Sequence, residues 1–372
     1  MEIEYLIIRN KNREIIGILD SFKSVIWHSV YFGVGDFEVY APLESLDLLN
    51  IGYYVCRNDD LETGIIEKIE IINNEQDGRM IVASGRFLKS ILDRRIIYNL
   101  AKPPQNTPTI LRGNVEEACR KLVMDNAINC PFSSLRNIDI LKLGDLAGLP
   151  AVIVEEDGDT GAKQVSCQNL LDYSDNLLQE YGYGSLVLLD DSTKEFKYVC
   201  YAGEDRTADS PNPVIFSQEF DNLAESDYNE DITPKKNFAL IGGAGEDLDR
   251  FFTTFKTEEA TGLERREVFI DTWSINREYE DDEGTQKQYT NTEYRTLLRS
   301  QASQDMREMT EQKTFTGTII TSYGQYIYNR DFFLGDMVTV QDNDINKYSN
   351  VRITEVTEIQ DENGYNCEVM YE

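Results

Sequence analysis

The sequence predicts a multi-domain, β-rich α+β protein, and three observations carry that prediction. The chain has 372 residues, which is too many for one ordinary core, so about two to four domains are expected. Strand signals fill both ends of the chain, whereas the middle contains two amphipathic helical stretches. The apolar fraction of 41%, with 10% aromatic residues, is typical of a globular chain.

The first hundred residues are dominated by short runs of apolar and β-branched residues separated by turn signals. The predicted strands are residues 4–8, 13–19, 22–31, 36–40, 65–72 and 80–84. Asn10-Lys11-Asn12 and a turn ending at Asp77-Gly78 predict hairpins between neighbouring strands. A short helical stretch over residues 86–97 follows. This pattern predicts a small antiparallel sheet or barrel over residues 1–104.

The middle of the chain changes to a mixed pattern. Asn114 is placed to cap a helix whose apolar residues fall on one face, up to Ala127. A second helical stripe starts at Leu170 and ends before Gly182, where a left-handed residue is favoured. A hairpin is then predicted over residues 185–201. Residues 105–220 therefore form a predicted α+β module.

The last part of the chain returns to strands and predicts a second β-rich domain over residues 221–372. An acidic stretch at residues 225–231 reads as a linker, and an amphipathic helix is expected at about 292–311, within a helical insertion at about 274–312. The predicted strands are residues 237–242, 266–273, 315–322, 336–340, 351–359 and 365–370.

The strongest global signal is negative charge. Sixty-seven acidic residues stand against 36 basic ones, which gives a formal net charge of −31. Residues 151–300 hold 33 of the acids and 14 of the bases. Such a surface argues against stable nucleic-acid binding, because phosphate contacts need Lys or Arg. Simple solubility is the alternative explanation of the acidity.

Six widely spaced cysteines without a C-x-x-C pattern predict free, mostly buried thiols and a reducing compartment. The N-terminal apolar run is too short and too soon charged for a signal peptide, and no run of about 18 apolar residues is present. We therefore expect neither a membrane span nor export by the usual route.

The chain offers little material for catalysis. Its single histidine, His28, excludes paired-histidine zinc chemistry and lies beside Trp27 in a predicted strand, which favours a structural role. A carboxylate pair for glycoside hydrolysis is the one enzymatic arrangement that the composition leaves open, with almost no specificity among so many acids. We expect no enzyme activity, no metal site and no cofactor.

Other motifs have simpler structural interpretations. The segment Gly242–Asp247 lacks the Lys-Ser/Thr of a phosphate-binding loop and predicts a turn between strands. Asp342, Asp344 and Asn346 match only part of a calcium loop and indicate a hairpin tip, as do Asp157 and Asp159. Weak cation binding at residues 280–283 stays open. The pairs Arg94-Arg95 and Arg265-Arg266 predict ion pairs across packed domains or subunits.

Several segments together carry a family resemblance. They are Gly35–Pro42, Gly85–Ile97, Val214–Ser217, Lys236-Asn237, Gly262–Glu267, Tyr328–Val340 and Val351–Val356. In this order, and spread over nearly the whole chain, they resemble the Gp37-like tail proteins of siphoviruses and related prophages. That family is related to baseplate hubs and to the N-terminal hub part of tail-associated lysins.

The resemblance implies a structural hub at a phage tail tip or baseplate. Each chain would supply two tube-type antiparallel β-barrel domains, with the α+β module and the helical insertion between them. Three chains would form a ring that closes the tail tube, contacts the distal tail or tube protein and the tip or fibre proteins, and lets DNA pass an acidic channel. The protein would be made in the cytoplasm of the host bacterium and reside in the virion tail tip. Peptidase or lysozyme-like extensions of longer relatives are expected to be absent.

The residues expected to matter for assembly lie within the segments that carry the family resemblance. They are Gly85, Arg86, Arg94, Arg95, Arg265, Arg266, Gly335, Asp336 and Arg352. Two alternatives remain at this point: a tail-tip cell-wall hydrolase that uses a carboxylate pair, and a receptor- or glycan-binding tip protein that uses exposed aromatic residues of the 180–205 hairpin. A contractile or bacterially encoded tail-like particle would use much the same hub.

Overall fold

The computed structural model describes residues 2–74, 78–100, 106–153, 161–220, 222–280, 286–319, 326–344 and 347–371. Strands dominate, as the sequence predicts, and α-helices are few. The chain divides into two compact units. One comprises residues 1–152, 163–227 and 315–372, and the other comprises residues 153–162 and 228–314.

Several strands alternate buried and more exposed residues in the pattern of half-buried sheets, as Ser24–Val30 and Asp36–Pro42 do. In chain order the strands are β1 Leu6–Arg9, β2 Ile15–Leu19, β3 Ser24–Val30, β4 Asp36–Pro42, β5 Tyr54–Cys56, β6 Thr63–Ile65, β7 Lys68–Asn74, β8 Gly78–Arg86, β9 Thr109–Arg112, β10 Leu141–Leu143, β11 Ala162–Val165, β12 Gly184–Leu189, β13 Phe196–Tyr201, β14 Asp205–Arg206, β15 Ile215–Ser217, β16 Leu223–Asp231, β17 Phe238–Gly242, β18 Phe252–Lys256, β19 Glu267–Asp271, β20 Glu278–Glu280, β21 Gln286–Gln288, β22 Gln312–Ile319, β23 Met337–Asp342, β24 Lys347–Asp361 and β25 Gly364–Tyr371.

Three α-helices and several single turns of helix complete the described elements. The α-helices are α1 Val115–Val123, α2 Leu170–Gln179 and α3 Asn291–Arg307. A π-helical turn, Met124–Ile128, follows α1, and the 3₁₀ turns are Leu43–Asp47, Leu88–Arg94, Ser134–Arg136, Gln218–Phe220, Asp247–Asp249 and Gly262–Glu264.

One eleven-stranded sheet joins the two ends of the chain. Its main path runs β16-β22-β25-β24-β3-β4-β8-β7, and β23 pairs with β24, β14 and β15 beside it. Here β24 from the C-terminal part is the antiparallel neighbour of β3, with Val356 opposite Ser29. A smaller sheet has the order β2-β1-β5-β6. Within the described residues no sheet closes into a barrel, so the two-barrel arrangement stays a prediction.

The main core lies under this N-terminal part of the sheet. Trp27 and Phe37, on adjacent strands, are at most 1% exposed and pack with Phe87. Gly85 lies where a Cβ would come within 1.8 Å of the carbonyl oxygen of Ile65, so only glycine fits this close approach. Trp27, Phe37 and Phe87 therefore belong to one core cluster.

The second compact unit is a three-stranded sheet covered by α3. The sheet has the order β18-β17-β19, and its buried residues meet one face of the helix. Tyr294, Leu298 and Ala302, at helical spacing, are fully buried there. Thr290 caps α3 in a reciprocal pair of hydrogen bonds with Glu293. The helix predicted at about residues 292–311 is therefore confirmed, with an earlier end.

Three local predictions need correction. Residues 225–231 are not a linker, because they belong to β16, which pairs with β22 at the border of the large sheet; a border strand tolerates many charges. The helical stretch of residues 86–97 is shorter, since Arg86 ends β8 and only Leu88–Arg94 is helical, as 3₁₀. Strand β18, within the turn-rich segment after residue 242, was not predicted.

Candidate functional site

A cavity of about 380 Å³ in the larger compact unit brings acidic and apolar side chains together. Its lining comes from the β5–β6 loop, from strands β12 and β13 and from the segment before β23. The lining residues are Ser29, Asp60, Leu61, Glu62, Leu186, Leu188, Val199, Tyr201, Ala202, Gly203, Glu204, Tyr328, Asn329, Phe333, Leu334 and Asp336.

Two carboxylates of the β5–β6 loop, Asp60 and Glu62, line the cavity. Oδ1 of Asp60 accepts a hydrogen bond of 2.7 Å from the backbone N–H of Glu62, and its Oδ2 lies 3.4 Å from the amide nitrogen of Asn329. Glu62 is only 9% exposed. Burial, together with the charge of Asp60, raises the pKa of Glu62 to about 8. Glu62 is therefore largely protonated at neutral pH.

The ionisable side chains around Asp60 and Glu62 are also shielded from water. Burial raises the pKa of Asp60, partly offset by the guanidinium of Arg57. Burial also raises the pKa of the Tyr201 and Tyr328 hydroxyls well above the usual value, with Glu62 and Asp60 adding to the effect. All of these groups resist taking up further negative charge.

The cavity adjoins buried ion pairs that fix its walls. Arg57 binds Glu358 at 2.7 Å, with side chains 1% and 3% exposed, and also binds Asp59 at 2.7 Å. Lys89 binds Asp175 at 3.1 Å, with side chains 3% and 8% exposed. Removing one partner of either pair would leave a buried charge with fewer partners, which is strongly destabilising.

Three predicted motif residues converge beside the cavity. Asp336 is 1% exposed and accepts hydrogen bonds from the N–H groups of Glu204 and Phe333, at 2.7 and 2.9 Å. It also accepts one of 2.7 Å from Nε of Arg206. The guanidinium of Arg352 donates to the carbonyl of Gly335 at 2.6 Å. The turn Leu334-Gly335-Asp336 and strand β24, which carries Arg352, are therefore held together by this hydrogen bond.

Tyr31 completes this arrangement. Its hydroxyl donates to the carbonyl oxygens of Gly182 and Tyr201, at 3.1 and 3.3 Å. Gly335 has φ of +92°, and a Cβ there would lie 2.3 Å from the Tyr31 ring. The glycine is required by both its backbone conformation and this contact. The turn thus positions Asp336 at the cavity wall.

The arginine motif of the first hundred residues forms a separate cluster. Arg86 binds Glu67 at 2.9 Å and Asp93 at 3.0 Å, and Arg94 lies 3.5 Å from Glu67. Arg95 donates instead to the carbonyl of Arg136 at 2.8 Å. These contacts fix the 3₁₀ turn after β8 within the chain itself.

Arg265 and Arg266 belong to the smaller compact unit. Arg265 binds Glu267 at 2.5 Å and stacks over the Phe238 ring, 3.5 Å from its centroid. Arg266 donates to the carbonyl of Ile232 at 2.5 Å. All of these contacts lie within the smaller unit.

The remaining sequence motifs take structural places. His28, in β3, lies 3.1 Å from Glu355 and 3.7 Å from Asp36 on the two neighbouring strands. Residues 242–247 form the turn between β17 and β18, as predicted. Asp342 and Asp344 lie at the β23–β24 connection. Asn346, Asp157, Asp159 and residues 281–283 lie outside the described residues.

The aromatic residues of the 180–205 hairpin differ in burial. Phe196 and Tyr198 are 2% and 0% exposed, whereas Tyr181, Tyr183 and Tyr201 are half-buried. Glycan binding by this hairpin stays a prediction.

The described ranges contain neither a metal-ligand cluster nor a membrane-spanning helix. No three His, Cys, Asp or Glu side chains in those ranges converge as metal ligands would. None of the helices described is long and apolar enough to cross a membrane.

The carboxylate pair itself was not singled out from the sequence. Asp60 and Glu62 lie in an acidic run that starts at Asp59, and the chain has 67 acidic residues. Their separation in sequence does not reveal burial, which arises from β12, β13 and the segment near Tyr328. The only feature of the sequence that marks this pair is that Asp60 and Glu62 lie on either side of Leu61.

Comparison with known proteins shows a family and a fold. The family described as siphovirus ReqiPepy6 Gp37-like protein matches residues 5–370. The tail protein from Neisseria meningitidis MC58 is similar at 14% identity, with a TM-score of 0.57, over 99% of this chain and 95% of that one. The 43 kDa tail protein of prophage MuSo2 from Shewanella oneidensis is similar at 11% identity, with a TM-score of 0.58, over 99% and 98%.

A third solved structure has a similar fold. The prophage tail protein gp18 from Listeria monocytogenes EGD-e is similar at 12% identity, with a TM-score of 0.51, over 99% of this chain and 94% of that one. The curated proteins contain no match to the chain. At these identities the solved structures share the fold with this chain over nearly its full length.

Proposed function

The chain belongs to the family of siphovirus ReqiPepy6 Gp37-like proteins, and from that membership we propose that it is a structural protein of a phage tail. The family resemblance read from the sequence is confirmed by this match. The observation that carries the proposal is the shared fold, since three proteins described as tail proteins cover 99% of this chain. The protein would be made in the host bacterial cytoplasm and become part of the virion tail.

The finer proposal is a homotrimeric hub at the tail tip or baseplate. It would close the tail tube and contact the distal tail or tube protein on one side and tip or fibre proteins on the other. The convergence of the family segments supports it: Asp36–Pro42 and Lys347–Asp361 are both neighbours of β3 in one sheet. A sheet that ties both ends of the chain together suits a subunit that must keep its shape in a ring.

The proposed hub role also offers an explanation for the negative charge of the chain. In a ring, carboxylates facing the lumen would repel DNA within about 10 Å, the Debye length at 0.1 M salt. The net charge of −31 supplies enough acids for such a lining. A structure of the assembled ring with a neutral or basic lumen would contradict this explanation of the charge.

The assembly is tested by measuring the mass of the purified protein with light scattering during gel filtration. We expect three times the chain mass of 42.7 kDa. Arg265→Ala alters a predicted assembly motif, because Arg265 lies at the surface of the smaller unit. Lys68→Ala, which removes an exposed ion pair, is its control. A single-chain mass at all concentrations would count against the trimer.

The hydrolase alternative now has one specific location. Asp60 and the protonated Glu62 at a cavity resemble the two carboxylates that glycoside hydrolysis needs, one of them with a raised pKa. Zymography on purified peptidoglycan distinguishes the two functions. Clearing by the wild-type protein that is lost in Glu62→Gln would favour the enzyme, whereas the structural proposal expects no clearing by either.

A further inference from the structure

The lining of the cavity described above combines carboxylates with apolar side chains. Asp60 and Glu62 are among its acidic residues, and Leu186, Leu188 and Phe333 are among its apolar ones. Its volume of about 380 Å³ exceeds the room that a few waters need and is within the range of small-ligand sites. Carboxylates beside apolar walls suit a ligand with a positive head and an apolar stem.

A second observation also points to a missing ligand. The hydroxyl of Ser29, a residue only 2% exposed that lines the same cavity, has no hydrogen-bond partner of ordinary geometry. The same hydroxyl lowers the pKa of Glu62, against the larger opposing effects of burial and of Asp60. Buried polar groups are rarely left unsatisfied in folded proteins. The Ser29 oxygen is therefore available to accept a hydrogen bond from something inside the cavity.

We propose that this cavity binds an alkylammonium group, with its three N–H donors directed to Asp60, Glu62 and Ser29 and its carbon stem along Leu186, Leu188 and Phe333. An ammonium group has three donors and no acceptor, which matches two carboxylates and a hydroxyl oxygen. A divalent metal ion would fit less well, because it requires about six oxygen ligands and the walls are apolar. An anion is opposed by both carboxylates.

Binding must be accompanied by release of a proton. Burial and the neighbouring Asp60 raise the pKa of Glu62 to about 8, so the neutral acid predominates at pH 7. The ammonium ion stabilises the ionised carboxylate, so the Glu62 proton passes to buffer while the ligand keeps its own charge. The charged and titratable groups that act on this pair are Asp59, Asp60, Lys89, Arg57, Glu358, Tyr201 and Tyr328.

The ligand chemistry has two sources, a free amine and a lysine side chain of a neighbouring protein. The second source rests on the proposed tail function, because a neighbour in the particle would present it. The cavity itself does not depend on that function. Failure to bind any amine would leave the trimer mass unaffected, so the two proposals fail separately.

Isothermal titration of the full chain with n-butylammonium chloride at pH 7 tests the proposal. Repeating it in two buffers of different ionisation enthalpy gives the number of protons released, which we expect to approach one. n-Butanol, with the same stem and no charge, should bind at least tenfold more weakly. Butylammonium binding with no proton release, or equal binding of the alcohol, would overturn the proposal, as would no binding at millimolar concentration.

A matched variant separates the site from general acidity. Glu62→Gln keeps the shape but has no proton to release, and we expect at least tenfold weaker butylammonium binding with proton release abolished. Glu70→Gln removes an exposed carboxylate on β7 and should change neither quantity. Circular dichroism and the melting temperature establish that both variants fold. Equal binding by Glu62→Gln and the wild type would contradict the site.

The sources are distinguished by a second titrant, Nα-acetyl-lysine N-methylamide. Binding similar to that of butylammonium assigns the cavity to a lysine side chain carried on a backbone. Binding of butylammonium alone assigns it to a free small amine. Either result supports an alkylammonium site, and binding of neither contradicts it.

Discussion

The guanidinium of Arg57 holds the carboxylate of Glu358 through two hydrogen bonds of 2.7 and 3.1 Å, although 301 positions of sequence separate them. The hydroxyl of Tyr365 donates to the same carboxylate at 2.6 Å. Both charged side chains are almost completely buried. This contact joins the β5–β6 loop, which carries the cavity carboxylates, to the C-terminal hairpin β24–β25.

Glu358→Gln should destabilise the fold strongly, because it leaves the Arg57 charge buried with Asp59 as its remaining partner. We expect a loss of about 3 kcal/mol in the free energy of unfolding. Glu70→Gln breaks an exposed ion pair with Lys68 and should cost less than about 1 kcal/mol. Urea unfolding followed by circular dichroism measures both. Similar costs for the two variants would contradict the importance of the buried pair.

Gly335→Ala should be costly for two reasons, the positive φ and the collision of the new Cβ with Tyr31. Gly364→Ala is the matched control, since Gly364 has φ of +114° but nothing within 4 Å of a Cβ. The control should lose about 1 to 2 kcal/mol from backbone strain alone, and Gly335→Ala should lose about 1 to 3 kcal/mol more from overpacking. Equal urea midpoints for the two variants would show that the Tyr31 ring moves aside without a loss of stability.

Stability should fall as the pH rises from about 4.5 to about 8 through the contribution of Glu62. The pKa of this acid is about 8 in the folded protein against an ordinary value of 4.5, so the folded state binds more protons within that window. The contribution is fully present below about pH 4.5 and is lost as the pH passes 8. Its slope is at most about 1.4 kcal/mol per pH unit.

Glu62→Gln should remove that part of the pH dependence. The variant should therefore gain stability relative to the wild type as the pH rises from 5 to 8, measured by urea midpoints in a series of buffers. Parallel curves for the two proteins across this range would mean that Glu62 is not protonated in the fold.

Cys167 should be the one thiol that reacts quickly with a disulfide reagent in the native protein. It is exposed, whereas the other five cysteines are buried and unpaired. Burial raises the pKa of the Cys200 and Cys367 thiols to about 12, which further suppresses the reactive thiolate. Ellman's reagent should report one fast thiol before denaturation and six after it. Cys167→Ser should abolish the fast phase.

Much of the strand pattern could be predicted because alternation and turn residues are local signals. The hairpins around Asn10 and after Asp190, and the caps at Asn114 and Gly182, all appear where expected. Strand β16 could not be predicted in the same way, because its acidic composition resembles a linker and its pairing with β22 is distant in sequence. The choice between 3₁₀ and α-helix at Leu88–Arg94 depends on packing that the apolar pattern does not encode.

The site was harder to predict than the fold. Gly335 and Asp336 are adjacent in the sequence, but the contact of this turn with Arg352 and Tyr31 depends on the sheet that joins the chain ends. Asp60 and Glu62 differ from the other acids of the chain only by burial, which is a tertiary property. Whether the motif residues serve assembly as well as folding stays a prediction.

Electron microscopy of the purified protein tests the central claim most directly. A structural hub of the proposed kind predicts closed rings with three-fold symmetry and about the width of a tail tube, with acidic side chains facing the lumen. Single subunits at all concentrations, or rings of another symmetry, would contradict the account.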